Sequence, residues 1–441
     1  MRHINYLLLS FLIIVLAIPN YCTAQMQSVI TTSTKRIIPI QNVKPIKSLP
    51  LDNPTQILTL SRYENGNAIA SVFSLTEDNN TNVLSSFLSN VIVEDFIVFA
   101  DKVFFCGRDL INNQAFFART DIPSLINGTN NIIEYITNDV QIFSKIDFYI
   151  NDYNEAIINL IDNHNTFVSV NISTLNIQSF RNSEMQLTEI RHTKNFGVIL
   201  TKIDNGSFGL YAFDKNNISI LTSYAFSTPT LYLYDDSTFI NTTEYRYLLE
   251  VLDENNTNNV VVGFSSTDIY SGTEICNIDL LNDMSIITTQ AVISDNETRS
   301  FLYDMKYSKD HNGLICLIWN PAIDFTDNIF MMFPYETLPY TTPVTIPEAN
   351  IQRHLFHHLT SYDNKYYLTV GKDINNYIYL LDKKTLDFSN LNCIKNDEFT
   401  IKTFDIVKKQ EEIVMSQAFV NLSQNTLVSI PVTTQYSLIC Q

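Results

Sequence analysis

FIVFADKVFFCGRDLINNQAFFARTDI, residues 96–122, packs three short apolar runs and two polar turns into one continuous stretch. Runs of about four to eight apolar or alternating residues bounded by Asn, Asp and Gly are strand signals, whereas an amphipathic helix needs apolar residues three and four apart over a longer span. The stretch therefore reads as a strand, a turn at Ala100-Asp101, a strand through Cys106, a second turn at Asp109–Asn113, and a third strand through Phe116 and Phe117. Its middle portion recurs far downstream as VGKDINNYIYLLDKKT, residues 370–385, with Gly371, Lys372, Asp373 and Asn375-Asn376 standing where Gly107, Arg108, Asp109 and Asn112-Asn113 stand in the first copy. A recurring inter-strand turn is the mark of a repeated sheet.

Further units follow when the chain is aligned on this pattern. They include FYINDYNEAIINLIDNHNTFVSVNIST (148–174), IRHTKNFGVILTKIDNGSFGLYAFDKN (190–216), LTSYDNKYYLTVGKDINNYIYLLDKKT (359–385) and FDIVKKQEEIVMSQAFVNLSQNTLVSIPV (404–432). Units of roughly 40–60 residues, each about four strands long, predict an all-β chain built as a β-propeller of four-stranded antiparallel sheets. Eight partial units are discernible, and the first, TQILTLSRYENGNAIASVFSL from Thr55, shows no leading strand. Propellers commonly close by letting N- and C-terminal segments share one blade, so seven blades is the expectation, eight the next, and a pair of β-sandwich domains the competing architecture. The composition agrees: Gly is scarce, at 10 residues in 441, and Asn takes over the turns, because its side chain bonds neighbouring backbone and tolerates positive φ.

The first 24 residues stand apart. Arg2 precedes an uncharged run from Leu7 to Ile18, and Cys22-Thr23-Ala24 ends in small residues, the pattern of a secretory signal too short to span a bilayer. The competing reading, acylation of Cys22, wants an aliphatic residue three positions earlier and a small one just before it, where Pro19 and Tyr21 stand. Residues 25–47 are then an N-terminal extension or closing strand and 48–441 a single propeller domain. No later stretch is long and apolar enough for membrane insertion of the mature chain, which is expected as an exported monomer, secreted, periplasmic or on the cell surface. With 28 Lys and Arg against 46 Asp and Glu, it lacks the basic footprint that nucleic acid requires.

The signal ending at Ala24-Gln25, the unit around VFFCG (103–107), YYLTVGKD (366–373) and the closing Cys393 and Cys440 resemble the large set of uncharacterised secreted β-propeller-type proteins of gut Bacteroidales bacteria. The resemblance implies a secreted or surface-associated protein of unknown activity and brings no catalytic residues with it.

Five cysteines follow the signal. Cys393 and Cys440 fall in fourth-strand regions of the last two units and are the disulfide candidate; Cys106 and Cys316 fall in apolar second strands, where a thiol packs as a small hydrophobe. RHLFHHL (353–359) puts His354 and His358 on one face of a strand, two metal ligands without a third. Carboxylates are too many and too scattered to pair as acid and base, and EF-hand, G-x-S-x-G, H-E-x-x-H and phosphate-loop motifs are absent. No cofactor is implied. Nine N-x-[ST] sequons, among them Asn127, Asn171, Asn205 and Asn241, read as chance in a chain rich in Asn, Ser and Thr. The expected function is a binding module for a protein or glycan partner, not an enzyme, with the turn residues Arg108, Asp109, Lys372 and Asp373 as candidate contacts. A propeller-type glycan-active hydrolase or lyase using carboxylates near the central channel, and a structural component of the cell envelope, are the alternatives.

Overall fold

The computed structural model describes residues 35–440 except for short connections and the stretches 39–42, 228–244, 333–343, 346–356 and 383–398, with side chains through most of 46–316 and 406–431. The described residues form seven antiparallel sheets. Sheet I holds Val43–Pro50, Gln56–Tyr63, Ala68–Ser74 and Asn82–Leu88. Sheet II holds Val91–Phe99, Lys102–Asp109, Gln114–Asp121 and Ile132–Thr137. Sheets III to VI repeat the four-strand meander, starting at Phe143–Ile150, Gln186–His192, Tyr245–Leu252 and Phe301–Ser308. Sheet VII has three consecutive strands from His357–Tyr362 onward, beside which lies the N-terminal strand Lys35–Ile38. The first strand of each sheet packs against the first strand of the next, and that of sheet VII against that of sheet I.

The quoted stretch forms the first three strands of sheet II, with both turns where the sequence places them. Among the described residues Asn and Asp supply seven of the eleven non-glycine residues at positive φ, including Asn90, Asn113, Asn154 and Asn165 at turns, so Asn does take the role that scarce Gly leaves open. Buried clusters fill the space between successive sheets. Leu58, Val91, Phe105 and Phe116 lie between I and II; Phe104, Phe143 and Ile158 between II and III; Phe167, Tyr211 and Phe213 between III and IV; Phe208, Phe226 and Phe264 between IV and V; Leu302, Leu314 and Cys316 between V and VI. Sheets II to V thus bury both faces, which is why their strands read as nearly continuous apolar runs.

Four features differ from the sequence expectation. The first unit does have a leading strand, Val43–Pro50; Lys44, Pro45, Lys47 and Pro50 disguise it. Gly107 and Gly371, which as turn formers are expected to end their apolar strands, lie within Lys102–Asp109 and Lys365–Lys372. A short helix, Ile122–Asn127, is capped by Asp121, whose carboxylate accepts from Ser124 N at 2.7 Å, carries Pro123 in its first turn and ends at Gly128 with φ 72°. Those stop and start residues were present in the sequence.

The fourth difference is the largest. The segment 404–432, read as one more unit, builds no sheet. Instead Phe399–Lys402, Val407–Gln410, Ser416–Gln417, Leu422–Leu427, Ser429–Gln435 and Ser437–Cys440 run backward round the molecule, each adding an outer antiparallel strand, in turn to sheets V, IV, III, II, I and VII. Six sheets are therefore five-stranded and only sheet VI has four strands among the described residues. We refer to residues 399–440 as the strap.

Candidate functional site

The first strands carry an irregularity at matched positions. Register shifts occur between Pro45 and Lys47, Val93 and Asp95, Phe143 and Lys145, Leu187 and Glu189, and Leu302 and Asp304. A β-bulge re-aims the residues beside it, and in each case a charged residue follows. Lys47 donates to Asp95 at 3.0 Å, joining sheets I and II. Asp95 also accepts from Ile146 N of sheet III at 3.3 Å. Lys145 of sheet III pairs with Glu189 of sheet IV, which Arg191 also approaches at 3.4 Å. Glu250 of sheet V accepts from Lys306 at 2.9 Å and from Tyr307 N at 3.1 Å, both in sheet VI. A charge contact therefore spans the seams I/II, II/III, III/IV and V/VI, and the Arg191 guanidinium, of sheet IV, feels Glu250 across the seam IV/V.

Electrostatics extends further than contact. Burial alone would raise the Asp95 carboxyl, but Lys47, Lys145 and Arg191 around it hold it below the ordinary carboxylate range. Lys47 is lowered, first by burial and then by the same neighbouring cations, with Asp95 opposing. Burial disfavours the Arg191 charge, yet Glu189, Asp95, Glu250 and Asp147 outweigh it and keep it firmly protonated. Arg191 and Asp95 belong to sheets IV and II, so the field reaches across an intervening sheet. The arrangement is a set of mutually neutralised ions, with Asp147 holding His192 Nδ1 at 3.0 Å beside it. General acid catalysis needs a carboxyl with a raised pKa, and Asp95, the carboxyl at the centre of this network, is shifted the other way.

The raised carboxyls lie elsewhere. Burial pushes Glu134, in Ile132–Thr137, up to about 7, helped by Asp109, and its Oε1 is buried without a partner among the described residues. Burial raises Glu274 to about 8. Because the folded state binds a proton at Glu134 that the unfolded state gives up near 4.5, its contribution to stability is full below pH 4.5 and is lost as pH rises through about 7. Glu134→Gln is expected to flatten the pH profile of the urea midpoint in that window and to stabilise the protein at pH 8 by roughly 2 kcal/mol. An unchanged slope would place the titration on another group.

The hairpins define a second candidate. In a meander the first–second and third–fourth turns share one edge of each sheet, and here those of sheets III, IV and V are laced together. Asp152 N donates to Asn216 Oδ1 at 3.0 Å and Asn216 Nδ2 to Asp152 Oδ2 at 2.9 Å. Lys215 Nζ reaches the carbonyls of Thr193 and Lys194 at 3.1 and 3.2 Å and lies 4.9 Å over the Tyr149 ring. Asn258 Oδ1 accepts from Thr193 Oγ1 at 3.1 Å and Asn195 N at 2.9 Å. On this braced edge stand the exposed side chains of Phe99, Ile150, Tyr153, Leu175 and Leu281, Tyr153 being 71% and Leu281 60% accessible. The opposite edge shows one large apolar group among the described residues, Ile111.

Of the turn residues singled out from sequence, Arg108, Asp109 and Lys372 fall on that opposite edge. Asp109 is buried and forms an Asx turn, accepting from Ile111 N at 2.6 Å and from Asn112 N at 2.9 Å and Nδ2 at 3.3 Å. Arg108 is half-buried, with a buried Nε lacking a partner among the described residues. Lys372 ends the strand Lys365–Lys372, and Asp373 lies outside the described residues. Both recurring turns do join the second and third strands of their sheets, but they differ in length: Asp109 pairs with Gln114, whereas Lys372 pairs with Asn375. His354 and Cys393 lie outside the described residues; His358 and Cys440 sit in the strands His357–Tyr362 and Ser437–Cys440. Cys106, Cys276 and Cys316 are free and buried. No group of three His, Cys, Asp or Glu among the described residues is placed to hold a metal ion. The first-strand ions, called axial below, escaped sequence reading because their partners stand on other sheets, although the separations of 48 from Lys47 to Asp95 and 44 from Lys145 to Glu189 match the repeat itself.

Antiparallel four-stranded meanders packed face to face, with their first strands in mutual contact, define an all-β protein of the β-propeller class. Solved structures with a related arrangement include the WD40 domain of Pan2 from Neurospora crassa, 10% identical over 76% of this chain and 89% of that one with a TM-score of 0.46. A chain in the crystal structure of the mitotic checkpoint complex is 11% identical over 79% of this chain and 95% of that one, with a TM-score of 0.49. The class rests on the sheets and not on these likenesses. No protein-family model matches the chain, and no curated protein does.

Proposed function

We propose that this chain is a closed seven-bladed propeller, exported by its N-terminal signal, that binds a protein partner through the edge carrying Phe99, Ile150, Tyr153, Leu175 and Leu281. The observation that carries the reading is the pairing of exposed apolar groups with hydrogen-bonded, pre-organised loops. Exposed aromatic anchors on a rigid support lose little conformational entropy on binding. Closure is supported by the circuit of first-strand contacts that returns from sheet VII to sheet I, and export by Arg2, the apolar run Leu7–Ile18 and the small residues to Ala24. Neutralised axial ions favour binding over hydrolysis.

The test places a photo-crosslinking amino acid at Leu281 on this edge, and separately at Ile111 on the opposite one, in the exporting cells. The Leu281 probe is expected to capture a discrete protein that the Ile111 probe does not. Adding Tyr153→Asp should abolish the capture while moving the stability of the purified chain by less than about 0.5 kcal/mol. Capture from Ile111 alone, or capture indifferent to Tyr153→Asp, would sink the reading. Sequencing the secreted protein should find Gln25 as its first residue.

A further inference from the structure

The strap holds to the body in two ways. Its backbone pairs with the outer strand of six sheets, and it sends one or two apolar side chains into each of four seams between I and V. Ile406 packs on the core between sheets IV and V, Met415 on that between III and IV, Val420 and Leu422 on that between II and III, and Leu427 on that between I and II. Between these pegs it is mostly exposed, Phe419 to 81%. Polar clasps reinforce it. The Lys408 ammonium lies 3.8 Å over the Tyr224 ring and 3.3 Å from Asp283 Oδ2, while the Tyr224 hydroxyl donates to Asp283 Oδ1. Ala418 N donates to Ser179 O at 2.9 Å, and Ser179 Oγ to Ala418 O at 2.7 Å.

No single contact of this kind is strong. A pairing as short as Ser416–Gln417, with both residues exposed, is marginal in isolation, and segments poor in buried contacts open first. What keeps each piece in place is that its neighbours are already docked, which raises its effective concentration at the next sheet. Loss of one peg must then be felt along the whole segment. The far end has a particular consequence. Ser437–Cys440 pairs with Lys35–Ile38 at four successive positions and so covers the side of that strand turned away from Asn375–Asp382, against which Ile37 stands opposite Ile378.

We propose that residues 399–440 form a detachable strap that opens and closes as one unit, and that its closure locks the N-terminal strand Lys35–Ile38 into the last sheet. The body is in this sense a circumferential binding track, and its ligand is an extended chain with an apolar side chain for each seam, supplied in cis by the C-terminus.

Hydrogen exchange of the full-length secreted chain tests this. Leu427→Ser, in the seam I/II, is expected to speed exchange about tenfold or more at Val407–Gln410 on sheet IV and at Lys35–Ile38, while Val91–Phe99 stays as protected as in the parent. Lys408→Ala, from the other end, should speed Leu422–Leu427 in the same way. Acceleration confined to the neighbourhood of each substitution would overturn the single unit, and acceleration spreading to the first strands would show that the strap is an integral part of the body. A second measurement does not depend on those variants. The chain is cut at a protease site engineered between Gln410 and Met415, then incubated with a fluorescent synthetic peptide of residues 415–441. Incorporation of the peptide is the expected result; a cut protein that never exchanges its own segment would show that the strap does not detach.

Discussion

Gly107→Ala is expected to destabilise the protein by about 3 kcal/mol or more, read as a fall in urea midpoint at constant slope. A Cβ at this position would stand 1.8 Å from the carbonyl oxygen of Ile92 and 2.9 Å from its carbonyl carbon. Both are backbone atoms, which cannot step aside as a side chain end can. Gly107 pairs with Val93 at the bulge that precedes Asp95, so the clash falls where the first strand is re-aimed toward the axial ions. Relief would require unmaking the bulge, and with it the Lys47–Asp95–Ile146 connection across three sheets. A loss below about 1 kcal/mol would mean that the bulge is not fixed by this close approach.

Asp95→Ala is expected to cost about 3–5 kcal/mol, the range for removing one partner of a buried ion pair. Lys47 would be left in a cation-rich enclosure facing Lys145 and Arg191, and two backbone donors, Phe96 N at 2.8 Å and Ile146 N at 3.3 Å, would lose their acceptor. The double variant Lys47→Met, Asp95→Leu should recover a large part of this, since it removes both charges together; a double variant no better than Asp95→Ala would show that the backbone bonds, not the charge pair, carry the effect. The pH dependence has a definite sign. The folded carboxyl lies below its ordinary value of 3.8, so its contribution is present above that value and is lost as pH falls through the lower folded one. Parent and Asp95→Ala stabilities should therefore converge in acid.

Much of the architecture was legible because strand length, apolar content and turn chemistry are local. VFFCGRD and AFFARTD became the strands Lys102–Asp109 and Gln114–Asp121 almost to the residue, and Cys106 and Cys316 lie buried in second strands. The strap was not legible for the complementary reason. A run such as VNLSQNTLVSIPV has the same strand propensity whether it pairs with its neighbour or with a strand hundreds of residues away, and nothing in it names the partner. The site divides the same way. Asp109 was legible as a turn residue, because an Asx turn is made with its own neighbours Ile111 and Asn112. The axial ions required knowing which strands come first in each sheet, and the apolar edge required knowing which turns share an end.

The reversed course of the strap sets a schedule for synthesis. Asn82–Leu88 is among the first strands made, yet its outer partner Ser429–Gln435 is among the last. At about 10 residues per second that edge waits on the order of half a minute for its cover, while the outer edge of sheet V waits roughly a third as long. An uncovered edge invites pairing with other chains. The sheets translated earliest thus stay open longest, and the risk of misassembly is greatest at the N-terminal half of a chain that is still being made.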